Sequence, residues 1–124
     1  KDVTEGYVIP QKTLGQPNIK LVVITRDDIP DGYQLVQSNH AVADFAYEHP
    51  QKFKEWKDTS NYIISLQIPD EHQLIKLYEK LSDQGAIATL FREPDIEDEA
   101  TSFAFFGTDD LRKKVSNLKL SLKK

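Results

Sequence analysis

Apolar and polar positions along the chain follow two patterns, short runs rich in β-branched residues and longer segments with helical spacing. Runs of the first kind, bounded by polar or turn-forming residues, are typical of buried strands. Four segments fit: KLVVIT at 20–25, NYIISLQI at 61–68, AIATLFR at 86–92 and SFAFFG at 102–107. The pattern therefore predicts four strands.

The intervening segments carry apolar residues at helical spacing. The first predicted helix runs from residue 33 to about residue 49, and Pro50 ends it because the residue before a proline disfavours the α region. Its apolar residues are Leu35, Val42 and Phe45 on one face, with Val36 and Ala43 beside them. Further helices are predicted at 51–57, 69–85 and 108–118, the last two with capping residues at their starts.

Strands that alternate with helices indicate a mostly parallel sheet with helices on both faces. The third and fourth strands are joined by the short segment 93–101, so these two can pair antiparallel and make the sheet mixed. We therefore predict an α/β fold, a three-layer α/β/α sandwich with a four-stranded mixed sheet. Residues 1–19 show little periodicity and predict a leader or linker before one domain at 20–124.

Composition narrows the function classes. The chain of 124 residues has no cysteine and a net charge of −4, which excludes thiol catalysis and fits a cytoplasmic protein. No apolar run is long enough for a membrane span, and the net charge argues against nonspecific affinity for nucleic acid, so neither a membrane nor DNA is expected as a partner. The segment from Arg112 to Lys124 has six basic and no acidic residues. It predicts a solvated face, but it is also the feature that would attract a polyanion.

Candidate chemistry lies where the strands end, because ligands of open α/β sheets bind beyond the carboxyl ends of the strands. This rule selects the loops 26–32, 68–70 and 93–101. Gly32 and Tyr33 open the first helix, where backbone N–H groups could hold an anion such as a phosphate. Tyr33, Gln37 and His40 share one stripe of that helix. The alternative for His40 is a partly buried core histidine bonded to a backbone carbonyl.

Other constellations are weaker. The chain has no glycine-rich nucleotide loop, and Ser38 has no base at a suitable spacing. Five acids at 93–99 could converge on a divalent cation, but the segment lacks the glycine and the terminal glutamate of a calcium loop. We expect no metal and no cofactor.

Several of these segments together resemble the type II peptidyl-tRNA hydrolases. The resemblance covers residues 20–122, and its most telling pieces are QSNHA at 37–41, PDE at 69–71 and the closing LKL at 118–120. It implies a compact α/β/α fold, hydrolysis of the ester between an N-blocked aminoacyl or peptidyl group and tRNA, and peptidyl-tRNA as partner. The combination of GYQ with EPD resembles a divergent, phage-like or bacterial branch.

The resemblance also implies site residues. Gln37 and His40 match the glutamine and histidine of the family's helix, and Glu93 stands where the family has a catalytic aspartate. Thr101 or Ser102 falls near its active-site hydroxyl residues. The resemblance implies Glu93 as general base or water-positioning group, His40 and Gln37 as groups that orient the ester, and Tyr33 and Thr101 as hydrogen-bond donors. Substrate contacts are expected from Gly32, Asp95 and Ser102.

Two departures leave the activity open. Tyr33 replaces the family's lysine, and EPDIEDEAT replaces its aspartate-alanine-glycine-arginine-threonine stretch. Either hydrolysis depends on Glu93, His40 and backbone N–H groups, or the chain is a non-catalytic module of a larger polypeptide that binds RNA, nucleotide or protein. A metal-dependent hydrolase built on residues 93–99 is a third hypothesis. A homodimer or an association with an upstream domain is also left open.

Overall fold

The computed structural model describes residues 18–124. Its elements in chain order are β1 (Lys20–Arg26), α1 (Asp31–Glu48), α2 (Pro50–Asp58), β2 (Tyr62–Ile68), α3 (Glu71–Asp83), β3 (Ala88–Glu93), a short 3-10 turn (Pro94–Ile96), β4 (Glu99–Gly107) and α4 (Asp109–Lys113). Residues 1–17 of the predicted leader lie outside the described residues, so the predicted domain division stays a prediction.

The four strands form one mixed sheet in the order β2-β1-β4-β3. β1 and β2 are parallel, whereas β4 is antiparallel to both of its neighbours. The mixed sheet and the antiparallel pairing of the last two strands are confirmed. The expectation of a mostly parallel sheet is wrong, because the connection from β3 to β4 is too short for the crossover that parallel neighbours need.

Helices cover both faces of the sheet, which confirms the three-layer prediction. On one face, Leu21 and Val23 of β1 pack with Ala41 and Phe45 of α1 and with Trp56 of α2. The alternate residues of β1 point to the opposite face, where they join a second cluster with α3 and the chain after α4. That cluster contains Val22, Ile24, Leu74, Leu81 and Val115. The alternation of β1 therefore supplies both halves of the core.

The buried face of α1 differs from the predicted one. Its buried residues are Gln34, Gln37, Ala41 and Phe45, whereas Leu35 and Val36 are 55% and 48% exposed. Both ends of the Gln37 amide are hydrogen-bonded, which removes most of the cost of burying that polar group. For Gln34 only the amide nitrogen has a partner, and its Oε1 is buried with none among the described residues. Gln34 Nε2 donates to the carbonyl of Ile29 at 2.7 Å, and Gln37 belongs to the site described below.

The element boundaries also shift around the carboxyl ends of the strands. β4 begins at Glu99 rather than at residue 102, so the acidic loop shrinks to residues 94–98. α1 begins at Asp31, two residues before the predicted start, and α4 ends at Lys113. No helix of residues 18–124 is both long and apolar enough to cross a lipid bilayer.

Candidate active site

Three strands end at the same edge of the sheet. β1, β2 and β3 run in one direction and β4 runs in the other, so the ends of β1, β2 and β3 meet the start of β4. α1 also begins at this edge, directly after the β1 loop. The three loops selected from the sequence therefore lie in one region of the molecule.

A β-bulge changes the direction of two side chains of β4 at this edge. Phe91 pairs with Ser102, but the next residue, Arg92, pairs with Ala100, so Thr101 is the extra residue. Bulges of this kind re-aim side chains and are frequent beside active sites. Thr101 contacts Gln37 of α1 and Ser102 contacts Thr25 on the same face of the sheet. Consecutive residues of a regular strand would point to opposite faces.

A chain of hydrogen bonds links Thr101 to Glu93. The Thr101 hydroxyl donates to Gln37 Oε1 at 2.6 Å, and Gln37 Nε2 donates to Glu93 Oε1 at 2.8 Å. The backbone N–H of Asp95 donates to Glu93 Oε2 at 3.2 Å. Thr101 and Gln37 are fully buried and Glu93 is 7% exposed, so the carboxylate is held in one orientation.

The surroundings of Glu93 favour its charged form. The hydrogen bond from Gln37, the backbone N–H of Asp95 and the charge of His40 all lower the pKa of the Glu93 carboxyl, while burial acts in the opposite direction. Hydrogen bonds to a carboxylate stabilise the ionised state. Glu93 is therefore a carboxylate at neutral pH.

Tyr33 lies in the first turn of α1 and is half-buried. Partial burial, followed by the negative charges of Glu93 and Asp95, raises the pKa of the Tyr33 phenol. Tyr33 precedes Gln37 by one helical turn, and Gln37 bonds to Glu93, so Tyr33 shares the stripe of α1 that faces Glu93. Because its pKa is raised, the phenol keeps its proton at neutral pH and can donate a hydrogen bond.

His40 lies on the surface of the same region. Its imidazole stacks on the ring of Phe91, with centroids 4.5 Å apart and an interplanar angle of 12°, and the residue is exposed. The alternative of a partly buried histidine bonded to a backbone carbonyl is therefore wrong. Phe91 lies on β3, two residues before Glu93, so the stacking holds the imidazole of His40 beside that strand.

The remaining expected residues divide between surface and interior. Gly32 in the first turn of α1 and Asp95 in the 3-10 turn are exposed, as substrate contacts require. Ser102 is fully buried, donates to the carbonyl of Ile24 at 3.0 Å and lies 2.8 Å from Thr25 Oγ1, which revises its expected substrate contact. Thr101 is equally buried, and its proton is used by Gln37, so it acts on the site through that residue.

Sequence reasoning missed two residues that fix the start of β4. The side chain of Arg26 is 10% exposed and pairs with Asp28 and Glu99. It also donates to the carbonyl of Ala100 at 3.2 Å, while the N–H of Ala100 donates to Glu71 Oε2 at 2.8 Å. The hydrogen bond with Asp28, with a further one to Glu99, raises the pKa of the guanidinium above its ordinary value against the effect of burial.

The two missed residues are Arg26 and Glu71. The sequence could have indicated them through Arg26, a single cation that comes directly after an apolar run and before two aspartates. An arginine in that place is typical of a fixed ion pair. Ala100 directly precedes the extra residue of the bulge. Its carbonyl accepts a hydrogen bond from Arg26 and its N–H donates one to Glu71, so both of its backbone groups have partners. We call these two residues the Ala100 clamp.

The acids at 93–99 do not form a common cluster. Glu93 faces Gln37, while Glu99 faces Arg26 on the other side of β4. Within residues 18–124, no group of three or more His, Asp or Glu side chains is arranged to hold a metal ion.

The chain was compared with known proteins as well. Residues 19–120 match the family described as peptidyl-tRNA hydrolase PTH2. No curated protein matches the chain. The family match covers more than half of the sequence and includes every element from β1 to α4 and every residue of the candidate site. The chain belongs to the PTH2 family of peptidyl-tRNA hydrolases.

Proposed function

We propose that this protein hydrolyses the ester between an N-blocked aminoacyl or peptidyl group and tRNA, at the site around Glu93. The observation that carries the proposal is the chain from Thr101 through Gln37 to Glu93, which ends in an ionised and oriented carboxylate beside Tyr33 and His40. Family membership supports the substrate class. Both are consistent with a role in translation, in the cytoplasm.

In the proposed reaction, Glu93 accepts a hydrogen bond from the attacking water, whose oxygen forms a bond to the ester carbonyl carbon. Tyr33 donates a hydrogen bond to the oxygen that becomes negative, which is the role that a preformed donor has in ester hydrolysis. One water proton passes by way of the carboxylate to the ribose oxygen of tRNA as the C–O bond breaks. The products are a free carboxylic acid and a 3′-hydroxyl.

Gln37 and Thr101 are positioning residues in this scheme. Both are fully buried, and their hydrogen bonds fix the direction of the Glu93 lone pairs. His40 is exposed and is available to contact the substrate. Buried positioning residues of this kind fix the orientation of the reacting group before the substrate binds, which catalysis generally requires.

A second region supports binding of a polyanion. A groove of about 320 Å³ between α3 and the chain after α4 is lined by Lys76, Lys80 and Lys114, and all three lysines are exposed. Such a cluster attracts nucleic-acid phosphates. The catalytic edge itself is acidic, so we propose that tRNA affinity comes from this lysine groove rather than from the residues around Glu93.

The direct test is release of the amino acid from N-acetyl-aminoacyl-tRNA, with an active type II enzyme assayed in parallel. We expect multiple turnovers on the N-blocked substrate and little activity on the same aminoacyl-tRNA with a free amino group. The proposal fails if the parallel enzyme is active and this protein releases nothing above the uncatalysed rate.

One observation favours a second candidate, a non-catalytic module that binds RNA, nucleotide or a protein partner. The resemblance sets neutral Tyr33 where the family has lysine and EPDIEDEAT where it has an aspartate-alanine-glycine-arginine-threonine stretch. Two positive charges are thereby replaced, so the positive charge for an oxyanion is missing. This candidate predicts binding without hydrolysis. It also predicts that binding survives the substitution Glu93→Gln unchanged.

A further inference from the structure

Two side-chain pairs join α1 to β3, one helical turn apart. Gln37 donates to Glu93, and three residues later along α1 His40 stacks on Phe91. Positions three apart are neighbours on a helix surface. Phe91 and Glu93 are alternate residues of β3, so both side chains point to the α1 face, about 6–7 Å apart along the strand. The imidazole of His40 is therefore held next to the proposed catalytic carboxylate.

The ring of His40 has one covered face and one open face. Phe91 covers the inner face, with ring centroids 4.5 Å apart and an angle of 12° between the two planes. Phe91 itself packs against the buried cluster that contains Ala41 and Phe45, whereas His40 is exposed. We call His40 and Phe91 the stacking platform, because they present a flat ring whose orientation is fixed from below.

Such a surface suits one further flat ring. Unpaired RNA bases stack on aromatic side chains, including histidine, and the contact needs no particular base because every base has a π-face. Stacking also needs no positive charge. A phosphate beside Glu93 and Asp95 would be repelled by both carboxylates, so contact with a base is the RNA contact that this acidic edge allows.

We propose that the open face of His40 binds the base of the terminal nucleoside of tRNA by stacking. This inference rests on the proposed hydrolysis at Glu93. In an N-blocked aminoacyl-tRNA the ester is on the ribose of that same nucleoside, so only the ribose separates the base from the reacting ester. This short span matches the step along β3 from Phe91 to Glu93. A base stacked on His40 therefore places the ester at the carboxylate.

The stacking platform and the lysine groove then have different tasks. The groove attracts the phosphates of the tRNA body, and the platform orients the terminal nucleoside. His40 contributes through its ring face and not through proton transfer. Phenylalanine at position 40 can therefore replace it, while alanine cannot.

The fluorescence of 2-aminopurine in place of the terminal adenine of uncharged tRNA tests the contact directly, because stacking quenches its emission. We expect saturating wild type and His40→Phe to quench the emission, and His40→Ala to leave it at the level of free tRNA. Tyr47→Ala is the matched control, since Tyr47 is an aromatic residue of α1 that is 87% exposed and lies two helical turns beyond His40. It is expected to quench like wild type. An unchanged emission with wild type overturns the proposal, as does quenching that survives His40→Ala or is lost with Tyr47→Ala.

Hydrolysis of N-acetyl-aminoacyl-tRNA separates stacking from acid–base chemistry. We expect kcat/KM to fall about tenfold or more in His40→Ala and to stay near the wild-type value in His40→Phe, which stacks but cannot transfer a proton. A His40→Phe variant as slow as His40→Ala would overturn the stacking role. A wild type that quenches the emission but releases no amino acid would support the stacking platform and contradict the proposed hydrolysis.

Discussion

The Glu93 carboxylate is better suited to hold a water molecule than to remove its proton completely. Gln37 and the N–H of Asp95 occupy one lone pair on each of its oxygens and lower its pKa. A base is most effective when its pKa lies near the working pH, and the pKa of Glu93 moves away from neutrality. We therefore assign most of its contribution to the orientation of the attacking water.

The pH dependence of hydrolysis follows from this assignment. The active form of Glu93 is ionised, and its pKa lies below the usual 4.5, so activity is lost only as the pH falls through that lowered value. The active form of Tyr33 is protonated, and its pKa lies above the usual 10.0. We expect kcat/KM, corrected for spontaneous ester hydrolysis, to be level from about pH 5 to pH 9.

The measurement is a pH–rate profile, with circular dichroism at each pH as the control for folding. A protonation step between pH 5 and pH 8 that Glu93→Gln removes would contradict the assignment.

Tyr33 is the proposed donor to the developing oxyanion. If its phenol donates to the developing oxyanion, Tyr33→Phe removes one donor, and kcat falls by about 10² to 10³. KM changes little, because the donor acts in the transition state. Tyr33→Lys keeps a donor and adds a positive charge, so it retains kcat and binds tRNA more tightly. Steady-state kinetics of both variants distinguish these effects, and a fully active Tyr33→Phe would remove Tyr33 from the scheme.

At the level of elements, the bulge in β4 connects the fold to the site. The Ala100 clamp, formed by Arg26 and Glu71, holds both backbone groups of Ala100 where the ladder to β1 has ended. The next residue is Thr101, the extra residue of the bulge. The clamp therefore fixes the direction of the Thr101 hydroxyl and, through Gln37, that of Glu93.

Substitutions of Glu71 test this connection. Glu71→Ala leaves the N–H of Ala100 without its acceptor, which costs about 1–3 kcal/mol of unfolding free energy, and we expect kcat to fall about tenfold or more with tRNA affinity unchanged. Glu71→Gln keeps an acceptor oxygen and restores kcat. Urea unfolding and single-turnover kinetics are compared for the two variants. An equal kcat for Glu71→Ala and wild type would show that the clamp serves stability alone.

The sequence predicted the helices and strands better than it predicted the side-chain contacts between them. The apolar run of β1 and the helical spacing in α3 are local patterns, and both elements were confirmed. The buried face of α1 was not predicted, because Gln37 is buried through partners on distant segments, Glu93 and Thr101. Gln34 is buried against the loop before the helix, where it donates to the carbonyl of Ile29. The bulge at Thr101 depends on the register of β4 against β3, which no local pattern contains. The adjacent Thr101 and Ser102 ahead of an alternating strand were the available signal.

Across the whole molecule, charge is divided between two regions. Acids surround the carboxyl edge of the sheet, and the lysine groove lies between α3 and the chain after α4. Two of the basic residues in the C-terminal segment are engaged within the chain, since Arg112 pairs with Asp109 and Lys124 with Asp31. Of the four other basic residues of that segment, Lys114 lines the lysine groove together with two lysines of α3.

The lysine groove predicts a salt-dependent affinity for tRNA. If Lys76, Lys80 and Lys114 each neutralise a phosphate, replacing all three by alanine lowers the slope of log affinity against log salt by about two to three. The matched control is the triple alanine variant of three lysines on α2, which are Lys52, Lys54 and Lys57. We expect that variant to keep the wild-type slope in fluorescence titrations with uncharged tRNA. Equal slopes for the two triple variants would place the tRNA elsewhere.

The most direct test of the central claim is the single-turnover hydrolysis of N-acetyl-aminoacyl-tRNA by Glu93→Gln. Glutamine keeps the size of the side chain but carries no charge, so we expect the rate to fall by about 10² to 10⁴ while the affinity for tRNA stays the same. Glu97→Gln removes an exposed acid from the same loop and is expected to keep the wild-type rate. A Glu93→Gln variant as fast as wild type, or a wild type with no hydrolysis, would contradict the account.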